Sequence, residues 1–365
     1  MASETAEDPI ANISKRSIRA LLKSPVKTAE AVHLVYLSDN IHGIERRKTD
    51  DGFEYYYEGE KVTDEETLLR IKRLVLPPAW ENVWISPKEN GHLQATGIDS
   101  KNRKQYKYHA YWNAVRNHTK FYRLYHFGTV LPALRLKVEK NLSLPGLPLE
   151  KVLGTVVSLM ERTNIRIGNG SYEKANGSYG ITTLKDRHVK INGTSIKFSF
   201  KGKKGVYHDI NIKSKRLANI VKRCQDIPGK ELFQYIDDDG TRRSIDSGMV
   251  NDYIKSITGG DFTAKDLRTW SGTMHALLAL KELGVSDTQA QTKKNIVAAL
   301  DKVADALGNT RTVCKKYYVH PLILSLYESK SLEKYLKHLD QIEEDDDKTD
   351  LSKEEKVLMN ILKSN

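Results

Sequence analysis

The stretch Leu307-Gly308-Asn309-Thr310-Arg311-Thr312-Val313-Cys314-Lys315-Lys316-Tyr317-Tyr318-Val319-His320-Pro321 sets a tandem tyrosine behind two lysines and closes on a proline. Glycine and asparagine at its start favour a turn, and proline cannot extend a helix that precedes it, so the spacing predicts a helix over 311–320. Two readings of the tyrosines stay open on these residues alone. They are a packed helix end beside a solvated basic turn, or a nucleophile supplied with positive charge. The second reading needs further cationic groups from elsewhere in the chain.

At 365 residues the chain is long enough for about two domains and a sizeable core. Lysine plus arginine number 59 against 47 aspartate plus glutamate, a formal net charge of +12 that favours a polyanionic partner. The excess is uneven, because residues 341–350 (QIEEDDDKTD) form an acidic run of the kind that is usually a solvated tail. Two cysteines, Cys224 and Cys314, make no disulfide framework and no metal-ligand spacing, as expected in a reducing compartment. No apolar run approaches the ~20 residues needed to span a bilayer, and the start MASETAEDPI lacks the regions of a secretory signal. A soluble intracellular protein with no membrane partner is expected.

Residues 1–31 read as a polar leader, 32–114 as a small β-rich domain, 115–340 as a larger mainly helical domain, and 341–365 as the acidic tail with a terminal helix. In the β-rich part a hairpin is expected over 51–62, with aromatic β-formers ahead of Glu58-Gly59. A helix is expected over 64–76, capped by Thr63 or Asp64 and stopped by Pro77-Pro78, followed by strands over 83–86 and 93–98. Beyond residue 110 the apolar period becomes helical, giving helices over 111–126, 129–141 and 149–164. A β island interrupts them, with strands over 178–184, 189–192, 195–201 and 206–211. Asn192-Gly193 is a strong hairpin signal, and the next hairpin carries Lys203 and Lys204 at its tip. Helices resume over 213–223, 247–258, 263–284 and 287–307, and short ones close the chain over 332–339 and 353–362.

Two groups of residues carry chemistry. The run 99–109 interleaves Lys101, Arg103, Lys104 and Lys107 with Tyr106 and Tyr108, and Gln94 lies on the strand leading into it. Cations reach phosphates while tyrosines and an amide touch sugars or bases, so this is a duplex-facing surface or, equally, a basic strand edge that discourages aggregation. The second group comprises Asn164-Ile165-Arg166-Ile167-Gly168, Lys201-Gly202-Lys203-Lys204-Gly205, Lys265-Asp266-Leu267-Arg268-Thr269-Trp270, and Asn309 nine residues before Tyr318. Singly each has a plain explanation: a buried arginine paired with a carboxylate, a solvated hairpin lysine, a turn asparagine.

In their order, together with the run PPAWENVWISPKENGHLQATGIDSKNRKQYKYH over 77–109 and the closing KKYYVHP, these pieces resemble the type IB DNA topoisomerases, in particular the short poxvirus-like and bacterial forms. The resemblance covers nearly the whole chain after Val32. It implies an α+β fold, a small β-rich N-terminal domain plus a larger mainly helical catalytic domain with a small β-sheet, the two closing as a clamp on duplex DNA. Arg166, Lys203, Arg268 and Tyr318 match the family's catalytic arginines, hairpin lysine and nucleophile. Asn309 stands where poxvirus members carry a histidine, as in the bacterial branch, and an amide can donate a hydrogen bond but cannot carry charge. Tyr172 matches a tyrosine that contacts DNA in the poxvirus members, or is a packed aromatic.

The implied chemistry suits these residue types. Negative charge grows on the nonbridging oxygens as a nucleophile attacks a phosphodiester, so fixed cationic donors are needed there, and arginine offers a permanent, two-pronged one. A free phenol ionises only near pH ~10, so a tyrosine nucleophile depends on neighbouring positive charge. The departing 5′-oxygen needs a proton, for which Lys203 is the expected general acid and Lys204 its rival. Tyr318 would then carry a 3′-phosphotyrosyl bond while the cut strand rotates, and religation would need no ATP, no cofactor and no metal. Duplex DNA is the expected partner, with no obligate protein partner, a monomer as the working form, and the cytoplasmic nucleoid as the location. The alternatives are a tyrosine site-specific recombinase and a non-enzymatic basic DNA-binding protein.

Overall fold

The computed structural model describes residues 25–100, 104–170, 173, 176–237, 239–260, 262–337 and 349–364. The leader before residue 25, most of the acidic run, and Lys101, Arg103 and Tyr172 lie outside the described residues. The chain divides into two compact units after Tyr122, partway along a helix.

After a short helix, α1 (Pro25–Glu30), the first unit is built on a six-stranded antiparallel sheet. Its strands are β1 (Ile44–Thr49), β2 (Gly52–Tyr57), β3 (Glu60–Lys61), β4 (Glu81–Ile85), β5 (Leu93–Ile98) and β6 (Lys104–Tyr108), in the order β3-β2-β1-β4-β5-β6. Glu58 and Gly59 both take positive φ, 50° and 90°, the two-residue turn whose twist suits an antiparallel pair. Strand β1 was not expected, because Ile44 is its single apolar residue beside Glu45, Arg46, Arg47 and Lys48. Tertiary pairing overrides that pattern: Ile44 lies opposite Ile85, and the Arg46 guanidinium donates to the carbonyls of Pro77 and Trp80. Helix α2 (Glu65–Arg73) is capped by Asp64, which accepts from the Thr67 amide at 2.8 Å. It stops short of residue 76, since Val75 turns to φ 49° ahead of the prolines. Ile71 on α2 packs with Ile44, Val83, Ile85 and Ala95 as the core of this sheet.

The second unit holds the larger core. Helix α3 (Ala110–Leu142) is one 33-residue helix where two had been expected. Gly128, between the two expected helices, continues the helix, and its missing side chain is a packing requirement: a Cβ there would run into the Trp270 ring at 2.7 Å and into Met359. Phe127, Leu131, Leu134 and Val138 line one face of α3, and each such burial contributes about 1.5–3 kcal/mol. Helix α4 (Leu149–Thr163) is buried along most of its length. A three-stranded antiparallel sheet follows, β7 (Val189–Asn192), β8 (Ser195–Lys201) and β9 (Tyr207–Lys213), with Asn192 opposite Ser195 across the two-residue turn Gly193-Thr194, one position beyond the expected Asn-Gly. Residues 178–184 are not a strand. They cross Gly168 through a short 3₁₀ turn, Ile181–Thr183, where the Ile181 and Thr182 amides donate to the carbonyls of Arg166 and Ile167 at 2.8 and 2.9 Å. Gly180 permits that crossing, because a Cβ on it would strike the Gly168 backbone.

Helices α5 (Lys215–Gln225), α6 (Ser247–Thr258), α7 (Ala264–Leu283), α8 (Gln289–Leu307) and α9 (Arg311–Tyr317) come next, with a small hairpin, β10 (Gln234–Ile236) and β11 (Arg242–Ser244), after α5. Helix α9 stops at Tyr317, short of the expected 320, and Pro321 is the first residue of α10 (Pro321–Glu328), where its missing N–H would go unused anyway. Helix α11 (Glu333–Leu336) precedes the acidic run and α12 (Lys353–Lys363) follows it. A Ser352/Glu355 capping box opens α12, whose Val357, Leu358, Ile361 and Leu362 join the core.

Candidate active site

The site is assembled from the ends of α4 and α8, the first turns of α7, and the exit of α9. Asn164 caps α4 in the left-handed conformation, φ 56°, and its amide N–H returns to the Met160 carbonyl at 3.0 Å. That sharp exit buries Ile165 and sends Arg166 toward the C-terminus of α8, held there by the amide bonds from Ile181 and Thr182. Arg166 Nη2 donates to the Gly308 carbonyl at 2.9 Å and to Asn309 Oδ1 at 2.6 Å. Gly308 itself sits at φ 56° and caps α8.

Arg268 lies in the second turn of α7, whose start is fixed by Asp266 Oδ2 accepting from the Thr263 amide at 2.9 Å. It faces inward and is buried. Its Nη1 donates to the Asn164 carbonyl and its Nη2 to the Leu307 carbonyl at 2.8 Å. The two arginines therefore take the successive carbonyls of residues 307 and 308, at the negative end of the α8 dipole, which carries the equivalent of roughly half a charge. Among the described residues neither arginine has an ion pair, so their charge is supported without being cancelled. Burial lowers the pKa of Arg166; burial and then the charge of Arg166 push Arg268 down to about 10, which still leaves both protonated at neutral pH. Two buried donors in this cluster, Arg268 Nε and Asn309 Nδ2, have no protein acceptor.

Tyr318 follows α9 and lies half-buried, with the Arg268 guanidinium carbon 5.3 Å from its ring centre. Its backbone is held closely. The amide donates to Cys314 O at 2.9 Å, Thr273 Oγ1 donates to its carbonyl at 3.3 Å, and the same hydroxyl accepts from the His320 amide at 3.1 Å. Gly272 permits this approach, since a Cβ there would lie 2.7 Å from the Tyr318 carbonyl oxygen. Tyr317 is half-buried beneath the Lys316 ammonium, 5.4 Å away, rather than in the arginine cluster. Neither flanking group is a proton carrier at neutral pH: burial pushes the Cys314 thiol up to about 11 and the His320 imidazole down to about 4.

Four of the five residues named as catalytic from the sequence thus lie in one cluster, Arg166, Arg268, Asn309 and Tyr318. Lys203 lies on the exposed 3₁₀ tip between β8 and β9, and Lys204 beside it takes φ 61°. His208, to which the sequence reading gave no role, lies at the base of that hairpin on the side facing the cluster. Burial and then the charges of Arg166 and Arg268 lower its pKa, which keeps it neutral. Asn164, Gly272 and Thr273 were also missed as contributors. Only Asn164 left a trace in the sequence, as an asparagine where a predicted helix ends.

In the first unit the expected nucleic-acid surface divides. Tyr106 and Lys107 are exposed on the edge strand β6, and Tyr106 stacks on Tyr108, their ring centres 6.0 Å apart and nearly parallel. Gln94 corrects the expectation. It is buried, its Nε2 donates to the Glu89 and Gly91 carbonyls at 2.7 and 2.8 Å, and its Oε1 accepts from Arg70, so the amide braces the 87–91 loop instead of facing a groove. Among the described residues no helix is long and apolar enough to cross a membrane.

Comparison with known proteins agrees with this arrangement. Residues 101–349 match the family model described as eukaryotic DNA topoisomerase I, catalytic core, and residues 52–99 match that of the bacterial DNA topoisomerase IB N-terminal domain. The chain is 35% identical over 302 residues to DNA topoisomerase 1B of Acanthamoeba polyphaga mimivirus, spanning 79% of this chain and 88% of that one. It is 27% identical over 241 residues to DNA topoisomerase I of Monkeypox virus, covering 64% and 72% of the two chains. Against DNA topoisomerase 1B of Vaccinia virus (strain Copenhagen) the identity is 26% over the same length and coverage. With one model spanning most of the helical unit and another the sheet before it, the chain belongs to the type IB DNA topoisomerases.

Proposed function

We propose that this chain relaxes supercoiled duplex DNA by cutting one strand with Tyr318, letting it rotate, and resealing it. The observation that carries the assignment of residues is the pairing of a buried Arg268 with a half-buried Arg166, both tethered to carbonyls and an amide and the former against the Tyr318 ring. An uncompensated buried cation is costly to fold around, and an oxyanion arriving in the site offsets that cost. Arg166 and Arg268 clamp the nonbridging oxygens, and the unpartnered Nδ2 of Asn309 adds a neutral donor.

In the cleavage step the Tyr318 oxygen forms a bond to phosphorus while the bond from phosphorus to the 5′-oxygen breaks. The phenolic proton passes to solvent, and Lys203 donates a proton to the departing 5′-oxygen, with Lys204 as the alternative donor. The 3′-phosphotyrosyl bond keeps the energy of the phosphodiester, so the 5′-hydroxyl reverses the step without ATP. Tyr106 and Lys107, with Lys101, Arg103 and Lys104 of the same run, supply phosphate and sugar contacts from the first unit, and Tyr172 and Lys204 supply them from the second. The working form is a monomer acting on nucleoid DNA in the cytoplasm.

The test is a suicide duplex whose cleaved 5′-end diffuses away. Wild-type protein and Tyr317→Phe are expected to form a covalent adduct at the DNA 3′-end, mapping to Tyr318. Tyr318→Phe is expected to bind DNA with the same salt dependence and form none. An adduct on Tyr317, or relaxation by Tyr318→Phe, would overturn the assignment.

A further inference from the structure

His208 lies between two glycines that belong to different elements. On β9 it pairs with Phe200 of β8 and stacks on that ring, with centres 5.0 Å apart and planes 22° from parallel. A Cβ built on Gly202 would lie 2.6 Å from the His208 Cδ2 and Nε2 atoms, and one built on Gly308 would collide with Cε1. The imidazole therefore rests against both backbones at once. Gly202 directly precedes Lys203, and its amide closes the hairpin onto the Val206 carbonyl at 2.7 Å. Gly308 directly precedes Asn309 and gives its carbonyl to Arg166.

We propose that His208 is a positioning residue that seats the Lys203 hairpin against the Gly308 turn, placing the proton donor over the arginine cluster. The inference rests on Lys203 being the general acid. An exposed two-stranded tip has few contacts to hold it, and an amine must reach the 5′-oxygen within hydrogen-bond distance. A flat, rigid ring between two bare backbones supplies a fixed abutment for the hairpin. Arg166 and Arg268 are the charged groups that face it, and a neutral ring sits beside them without repulsion.

The test separates positioning of an acid from general packing. Single-turnover cleavage is measured on a duplex with the ordinary scissile phosphate and on one whose 5′-bridging oxygen is replaced by sulfur, because a thiolate leaves without a proton. Lys203→Ala is expected to lose about 10²-fold or more on the oxygen substrate and to recover most of it on sulfur. His208→Ala is expected to lose about 10²-fold, the scale of a ~1 Å misplacement, with the same recovery. Gly202→Ala provides a second arm, since its φ of −91° admits a Cβ that would press on the ring. The same sulfur-recovered loss is expected, and this arm decides alone if His208→Ala does not fold. Wild-type rates in both variants, or losses that persist on sulfur while that of Lys203→Ala is recovered, would overturn the role of His208. Failure of sulfur to rescue Lys203→Ala would instead remove the general-acid reading, and this inference with it.

Discussion

Two inward-facing arginine sites in the second unit, one buried and one half-buried, are opposite in charge balance. Arg135 on α3 is enclosed by carboxylates: its Nε donates to Glu161 at 2.7 Å, and Nη1 and Nη2 grip Glu355 at 2.8 and 2.7 Å. Glu355 also accepts from Trp270 Nε1 at 2.9 Å, so this cluster ties α12 to α7 and α3. Burial works against the Arg135 cation, but Glu355 and Glu161 outweigh it and raise its pKa. Arg268, two residues before Trp270, has no carboxylate and is held by carbonyls, so its pKa moves the other way. A neutralised cation is a fastener, whereas one tethered to a helix C-terminus keeps its charge uncancelled, and the proposed function uses that charge on an incoming anion.

Substitutions at the two sites are expected to separate stability from activity. Arg135→Ala leaves two partly buried carboxylates without their cation and is expected to destabilise the fold by about 3–5 kcal/mol, read by denaturant unfolding. At a temperature where the variant stays folded, its cleavage rate is expected to remain near wild type. A large loss of cleavage with unchanged stability would erase the distinction. Arg268→Ala should do the reverse, lowering cleavage by at least about 10²–10³-fold while leaving the unfolding midpoint unchanged or raised. Arg268→Lys should recover little, because one ammonium cannot reproduce the planar fork that spans the Asn164 and Leu307 carbonyls.

A smaller effect follows from pH. Burial would raise the Glu355 pKa, but the hydrogen bonds and charge of Arg135 prevail and lower it. A carboxyl whose folded pKa is depressed adds stability that is fully present above its unfolded value, about 4.3, and is lost as pH falls through the folded value. Acid unfolding should therefore steepen below about pH 4 in the wild type, and Glu355→Gln should flatten that limb while lowering stability at neutral pH. An unchanged acid limb in Glu355→Gln would place the sensitivity in another group.

The comparison also explains what could be read beforehand. Arg166, Lys203, Arg268, Asn309 and Tyr318 were all named through the family resemblance that their motifs carry together, since residue type and local order survive in a linear chain. Whether each arginine was paired with a carboxylate could not be read, because the deciding partners lie far off: Asn164 and Leu307 for Arg268, and Gly308 for Arg166. His208 escaped notice for the same reason. Its meaning depends on glycines 6 and 100 positions away, which come together only when the hairpin packs against the end of α8.

Strand β1 and helix α3 show the same limit in the fold. Charged residues concealed a strand that sheet pairing makes central, and the gap expected between 126 and 129 falls where Trp270 and Met359 require Gly128 to lack a side chain. Gln94 looked like a groove contact until its amide proved committed to two carbonyls of its own loop.

By itself the sequence determined the elements with strong local signals. These are the capped helices, the hairpins at Glu58-Gly59 and at Gly193, and the residue types that the family resemblance singled out. Only the tertiary structure decided which charges were cancelled and which were kept. Hydrogen-bond geometry and burial depend on atoms brought together from distant segments, and local spacing carries no record of them.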